Sequence, residues 1–411
     1  MKAMRFKSYK RQHVFCKYFQ NLPTIRCYGL WSQFNKKIKL LFAENKVVTY
    51  LLVLLITGCS SKSGTIPQTE NPVLNKLLQS TEITTIDLDA IPVDTVLAGE
   101  ENIMGKARVS SLASPTVLDR AVDLARIGDS LYVADGGQQC IWVMDKQGRW
   151  VRRIGRAGNG PGEFGGLEGI DGNRDYIFTF DRSNARVQVY DHQFNLKRSF
   201  DRTAISSNRG IAITEHAIYL QADYTEQNNL IEKIKAAPPF DTIDLFGTPV
   251  IPYGRQPLGF NNYIIAVSND NRVAMAFAGL PYVFILDSNQ QVDHILYLES
   301  SLWEEIKNEN PSVKPVKKAS IENLRVRYYI HHLHLTESGE LYLRTQDAFY
   351  ILREEDGSYR LKRAKRFVTK EKIVRDRSAP IRVPSKAMSV KDDTVYFASE
   401  FIEYIYRFTL R

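Results

Sequence analysis

Residues 131–145 read LYVADGGQQCIWVMD and residues 177–191 read IFTFDRSNARVQVYD, and the two superpose without a gap at a spacing of 46 (131 against 177). Leu131 falls on Ile177, Asp135 on Asp181, Ile141 on Val187 and Asp145 on Asp191. A basic outgoing segment follows each copy, RWVRRIG at 149–155 and NLKRSFD at 195–201. Each unit therefore reads as four short strands with alternating apolar residues, separated by turn residues such as Gly128-Asp129 and Lys146-Gln147-Gly148. A repeat of this length cannot bury its apolar face alone and must stack on copies of itself.

Weaker copies continue down the chain. Ile211 to Leu220 and Thr242 to Phe246 bracket a third unit, with a polar insertion around Glu226 to Pro239. A fourth runs through Ile264 to Val267, Arg272 to Phe277, Tyr282 to Asp287 and His294 to Leu298. The fifth is His332 to Leu335, Glu340 to Arg344, Ala348 to Arg353 and Tyr359 to Phe367. The sixth has only Ala387 to Val390, Thr394 to Ser399 and Tyr404 to Leu410 before the chain stops at Arg411. Four strands per unit and six units predict an all-β, six-bladed β-propeller over residues 81–411. The last blade lacks a strand, so an upstream strand must close the ring; the alternating segment Ile83 to Leu88 is the expected one.

GRAGNGPGEF at 155–164 carries a resemblance. Following a YVAD strand and leading into the next blade, it is similar to NHL-type propellers. More narrowly, it resembles the six-bladed propeller lipoproteins of Gram-negative bacteria, with their G-x-G-P-G-E-[FY] segment after the first full blade. A fainter echo is GRQPLGF at 254–260. The resemblance spans about residues 80–411 and implies architecture, since such proteins share no common activity. Physically, Gly158, Gly160 and Gly162 permit positive φ around the rigid Pro161, which suits a tight crossing from one blade to the next. No helix or Lys-Ser/Thr follows, so a phosphate-cradling role is set aside.

Leu51 to Cys59 reads LLVLLITGC, and the apolar run from Val47 to Ile56 is far short of the roughly 20 residues that cross a bilayer. Lys36, Lys37, Lys39 and Lys46 precede it, giving the positive, apolar, small order of an export signal. Ile56-Thr57-Gly58-Cys59 resembles the lipobox of bacterial lipoproteins, which implies a mature chain beginning at an acylated Cys59. Residues 1–58 then form the leader, long enough to suggest that translation starts downstream of Met1, and residues 59–80 form a tether. The resemblance implies a lipoprotein of the outer membrane facing the periplasm; the stretch 60–63, SSKS, lacks an acidic cluster that would favour surface export.

The formal charge of +9 would otherwise invite a nucleic-acid reading. Residues 1–58, however, hold eleven of the 55 basic residues and one acid, Glu44, leaving 44 basic against 45 acidic residues in the mature chain. Nucleic acid is therefore dropped as a partner. Cys16 and Cys27 leave with the leader and Cys59 takes the lipid, so Cys140 is alone, cannot form an internal disulfide, and reads as a buried inert thiol in an apolar strand.

No catalytic constellation emerges. His332 and His334 in HHLH at 331–334 share a strand face, but spacing indicates no third metal ligand. Asp135 and Asp181 could bind calcium or act as bases; their repetition favours hydrogen bonds to turn amides. No metal or cofactor is assigned. Residues 301–327, helical in two pieces around Pro311 and Pro315, make either a binding insertion or a flap over an edge. Residues 359–382 hold ten Lys or Arg against Glu371 and Asp376 and read as a solvated outer strand and loop. Arg120, Arg209, His332 and Lys386 lie at or near the starts of inner strands, where they would make one channel mouth basic and suited to an anionic ligand.

The expectation is a monomeric, membrane-anchored envelope protein that presents propeller loops to a protein, peptide or glycan. The alternative is a metal-dependent propeller hydrolase, lactonase or lyase acting in the channel, which requires three or more Asp, Glu, Asn or His at the channel mouth.

Overall fold

The computed structural model describes residues 72–97, 100–106, 118–201, 211–222, 229–248, 262–307, 327–346, 348–369, 381–382, 387–391, 393–398 and 404–410. The chain divides into two units, Met1–Ile66 and Pro67–Arg411, and every described residue belongs to the second. Cys59 lies outside the described residues.

Six small antiparallel sheets make six blades. Blade 1 is Ala121–Ile127, Ser130–Asp135, Cys140–Met144 and Trp150–Ile154, with its first strand innermost. Blade 2 is Leu167–Gly172, Ile177–Asp181, Arg186–Tyr190 and Leu196–Asp201. Blade 3 is Ala212–Ile213, Ala217–Gln221, Ile231–Lys235 and Thr242–Phe246. Its third strand lies inside the stretch expected as a polar insertion: charged residues dominate it, but Ile231 and Ile234 are buried in separate cores on either side of the blade. Blade 4 is Tyr263–Val267, Val273–Phe277, Tyr282–Leu286 and Val292–Glu299. Blade 5 is Ile330–Leu335, Leu341–Thr345, Phe349–Glu355 and Ser358–Thr369. Blade 6 has Ala387–Lys391, Thr394–Ala398 and Tyr404–Thr409 of its own.

The ring is closed by an N-terminal strand, as expected, but by a different one. The N-terminal arm comprises helix α1 (Pro72–Leu78) and strands β1 (Ile83–Asp87), β2 (Asp94–Leu97) and β3 (Ile103–Lys106). It is β3 that pairs antiparallel with Tyr404–Thr409 and supplies the fourth strand of blade 6. β1 instead adds as a parallel fifth strand to blade 4, Ile83 opposite Ile295 and Asp87 opposite Glu299. The reason is burial. Blade 4's outer strand is apolar on both faces from Ile295 to Leu298, and Ile86 and Leu88 drop into the core that Leu296 and Leu298 share with Tyr359 and Ala364 of blade 5. β2 adds in the same way to blade 5, and α1 buries Leu74 and Leu78 against Tyr219 and Phe246 of blade 3 and Tyr263 of blade 4. The arm thus runs as a belt along the rim of blades 3 to 6.

Within blades, the repeat is written in hydrogen bonds. Asp135 is fully buried, and its carboxylate accepts from the backbone N–H groups of Asp119, Arg120, Gly137 and Gln138 at 2.9–3.1 Å. Asp181, equally buried, accepts from Gly165 and Gly166 at 2.8–3.1 Å and from Asn184 Nδ2 at 2.6 Å. Each Asp therefore ties the segment entering its blade's inner strand to the turn after the second strand. A second series joins third to fourth strands: Asp145, Asp191 and Asp287 each accept from the amides two and four residues on, at 2.8–3.0 Å. The third residue of each of these turns has positive φ, a glycine only in blade 1 (Gly148, +79°; Phe194, +65°; Gln290, +60°).

The Gly-rich segment forms the expected crossing from blade 1 to blade 2. Arg156–Ala157 pairs with Glu163–Phe164, and Glu163 accepts from Gly160 N–H at 2.8 Å and from Arg156 Nε at 2.9 Å. Those bonds hold its carboxyl below the usual range. Gly155 is obligatory: φ is +79°, and a Cβ there would meet the Phe164 ring at 2.4 Å. After blade 4, Ser300 caps helix α2 (Ser301–Ile306) by accepting from Trp303 N–H at 3.1 Å, and Trp303 and Ile306 are buried over the blade 4–5 core. Residues 308–326 of that connection lie outside the described residues.

Candidate functional site

The six inner strands surround a central channel with a cavity of about 680 Å³. Every blade contributes to its wall, with Asp123, Asp171, Ile213, Val267, His332 and Lys391 as one residue from each. The cavity extends to the turns that follow the inner strands. Those ends are held by a polar residue at matching positions. Asn173 Oδ1 accepts from Tyr176 N–H at 2.9 Å, Thr214 Oγ1 from Ala217 N–H at 3.0 Å, and Thr336 Oγ1 from Glu340 N–H at 3.0 Å. Asn173 Nδ2 also donates to the Thr214 carbonyl at 3.1 Å, tying blade 2 to blade 3.

The wall is charged. Asp123 Oδ2 accepts from Ile170 N–H at 2.9 Å and so bridges blades 1 and 2. Asp171 accepts from Gly172 N–H at 2.8 Å. Burial pushes its carboxyl up to about 6, against the opposing pull of that amide and of the Lys391 charge from blade 6. Arg126 places Nη2 3.8 Å from Asp129 and donates its backbone N–H to Ser389 Oγ at 3.4 Å, joining blade 1 to blade 6. Glu215, Glu337 and Asp393 add acids at the turn end of the cavity. A carboxyl that titrates near neutrality beside an ammonium, in a cavity, can exchange protons with a bound molecule.

His331, His332 and His334 all line the cavity. Leu333 between them is buried, which places His332 and His334 on one face as the strand period requires. His334 stacks on Tyr342 with ring centroids 5.6 Å apart. Among the described residues no three of His, Cys, Asp or Glu come together as a metal-binding group.

The four expected ligand contacts have different fates. Arg120 immediately precedes the inner strand of blade 1, is exposed, and donates Nη2 to the Gly136 carbonyl at 2.9 Å; it is not part of the cavity wall. His332 does line the cavity. Register pairs Ala121 with Asp135 and Asp123 with Ala134, and Ile330 with Thr345 and His332 with Arg344. His332 therefore holds the place of Asp123, further into the channel than Arg120. Arg209 and Lys386 lie outside the described residues. Neither Asp123 nor Asp171 is among the candidates singled out above, though a signal was available: LEGIDG repeats the inner strand AVDLARI with its aspartate two places later. Cys140 is buried as expected, with its thiol pushed up by burial and Arg153 Nε donating to Sγ at 3.3 Å.

Comparison with known proteins agrees on architecture. A family model described as a 6-bladed beta-propeller matches residues 119–227. An exported-protein candidate from Bacteroides fragilis shares 14% identity over 79% of this chain and 98% of its own, with a TM-score of 0.45. Virginiamycin B lyase from Staphylococcus aureus shares 12% identity over 75% of this chain and 95% of its own, with a TM-score of 0.41. At such identities the likeness extends to the fold alone. No curated protein matches the sequence. Among the described residues no helix is long and apolar enough to cross a membrane.

Proposed function

We propose that this chain is a lipid-anchored binding protein of the cell envelope, held by an acylated Cys59 and presenting one propeller face to a protein, peptide or glycan. The observation that carries the reading is the unequal length of the connections. Outer strands pass to the next inner strand through long segments such as 247–262, 300–329 and 370–386, while inner strands pass to second strands through turns such as 128–129, 214–216 and 392–393. Long insertions on a rigid scaffold are where recognition resides. Arg120, with Arg209 and Lys386 ahead of later inner strands in sequence and His332 deeper in the channel, supplies the cationic contacts for acidic groups on the ligand.

The test uses the protein extracted from its own membranes. Mass spectrometry of the mature N-terminus is expected to find diacylglyceryl-Cys59, and Cys59→Ala is expected to release the chain from the membrane fraction. Partners captured by the native chain should be lost when residues 308–326 are replaced by a Gly-Ser linker and kept when the 268–272 turn is replaced. Retention by the first variant refutes the face assignment.

A second reading, catalysis in the channel, is favoured by one observation: Asp171, with its carboxyl near 6, sits in the cavity close to Lys391. A lyase or hydrolase built there draws its general acid or base from Asp171. Substrate turnover abolished by Asp171→Asn, with the fold intact, selects this reading over pure binding.

A further inference from the structure

The N-terminal belt shows what the rim of this disc accepts. β1 and β2 each lie parallel on the outer strand of a blade already four strands deep. β2 reads Asp94-Thr95-Val96-Leu97 and covers Lys365-Arg366-Phe367-Val368, residue for residue. An acidic-then-apolar segment thus sits on a basic-then-apolar edge. Among the described residues, blades 1, 2, 3 and 6 carry no fifth strand.

Their outer edges differ in chemistry: blade 6 ends in the short Ile103–Lys106, interrupted by Gly105, and blade 3's edge has α1 packed beside it. Blade 3 ends in Thr242–Phe246, which has Asp244 and no cation. On blade 2's Leu196–Asp201, Lys197 is taken by Asp191 at 2.8 Å, the single remaining arginine, Arg198, lies over the Phe200 ring at 5.6 Å, and the strand ends on an acid. Blade 1 ends in Trp150–Ile154, WVRRI, where Val151 is 57% exposed and Arg152 and Arg153 face solvent. Among the described residues neither arginine is held by a carboxylate. Arg152 lies over the Phe194 ring at 5.3 Å and donates to the Gln193 carbonyl at 3.0 Å; Arg153 lies over the Trp142 ring at 5.6 Å and donates to Cys140 Sγ.

An open edge strand offers a row of unpaired N–H and C=O groups to any extended chain. Stacking on aromatic faces fixes the two guanidinium groups, so little side-chain freedom is lost when an acid meets them. Two blade 1 edges from separate copies would set arginine against arginine, which disfavours pairing of this edge with itself.

We propose that the outer edge of blade 1, Trp150–Ile154, docks an extended segment of another protein in which an acidic residue is followed by apolar residues, the segment adding to the blade as its fifth strand. This surface is separate from the long connections on the propeller face and stands or falls independently of them.

The probe is a labelled peptide VDTVLA, the sequence of residues 93–98 of this chain, titrated by fluorescence anisotropy into the full mature chain. Binding is expected, strongest at low salt, with a photo-reactive version cross-linking to residues 150–154. Replacing the peptide's Asp by Asn, or introducing Arg152→Glu with Arg153→Glu, should weaken it roughly tenfold. A peptide N-methylated at alternate amides should not bind, because strand addition needs those donors; this arm does not depend on any protein variant folding. The proposal is overturned by equal binding of the N-methylated or a scrambled peptide, by cross-links confined to 365–368 through exchange with β2, by no binding at millimolar peptide, or by an edge already occupied in a dimer.

Discussion

Asp171 offers the sharpest test of whether the channel is built for more than stability. Its carboxyl titrates at about 6 in the folded chain against an ordinary 3.8, chiefly because burial disfavours the charged form. Between those two values the folded state holds a proton that the unfolded state has released. Stability is therefore full below about pH 4, falls as pH rises through about 6, and stays reduced above it. A rise of this size corresponds to about 3 kcal/mol at most, and water in the open channel lowers the expected penalty to about 1–3 kcal/mol. Asp171→Asn keeps the side chain's shape and its acceptor for Gly172 N–H but cannot ionise. Urea unfolding at pH 4 should find it equal to the native chain, and at pH 7.5 more stable by that margin. A variant no more stable at pH 7.5, or stabilised equally at both values, refutes the reasoning.

Two further outcomes follow from the belt and the buried aspartates. A chain beginning after Pro92 loses α1 and β1 but keeps β3, so it should unfold at lower urea in one transition, whereas one beginning after Lys106 opens blade 6 and should lose cooperative unfolding altogether; equal losses would count against β3 as the closing strand. Asp181→Ala strips the acceptor from Gly165, Gly166 and Asn184 and leaves Arg186, 3.6 Å away, without its charge partner. A loss of roughly 3–5 kcal/mol in urea unfolding is expected, and less than 1 kcal/mol would show that the interaction is replaceable.

The blade period was legible where local hydrogen-bond chemistry repeats. Asp135 and Asp181 recur because each satisfies a cluster of turn amides, and Asp145, Asp191 and Asp287 recur because each closes the same turn. The pattern fades where that chemistry is replaced: Phe277, Thr345 and Ala398 fill the place of Asp135 in blades 4, 5 and 6. The closing strand was not legible. Ile103–Lys106 has four residues, one of them Gly105, and no alternation, while Ile83–Asp87 alternates well. Period 2 says that a segment is a strand but not which edge it joins; that is set by the burial that its side chains find. The channel contacts were misaligned for a related reason. Where an inner strand begins is set by its pairing: the same bulge in both blades matches Ala121 with Ile330 and Asp123 with His332, so Arg120 corresponds to Tyr329 and His332 lies three residues further along.

The distribution of cost across the molecule favours a working channel. Much of what holds the ring lies away from the lumen: the buried aspartates tie turns, β3 closes blade 6, and α1, β1 and β2 pack on the rim over blades 3 to 5. Asp123, Asn173 and the Arg126 backbone tie neighbouring blades from the wall itself. Asp123 and Asn173 thus have structural reasons to be polar, whereas Asp171 accepts from its own neighbour Gly172 and is held in the wall against its own ionisation. Groups that lower stability while facing a cavity are the usual mark of a site whose work requires them. If Asp171→Asn proves stabilising at neutral pH and also weakens binding or turnover of any channel ligand, the penalty and the function reside in the same carboxyl.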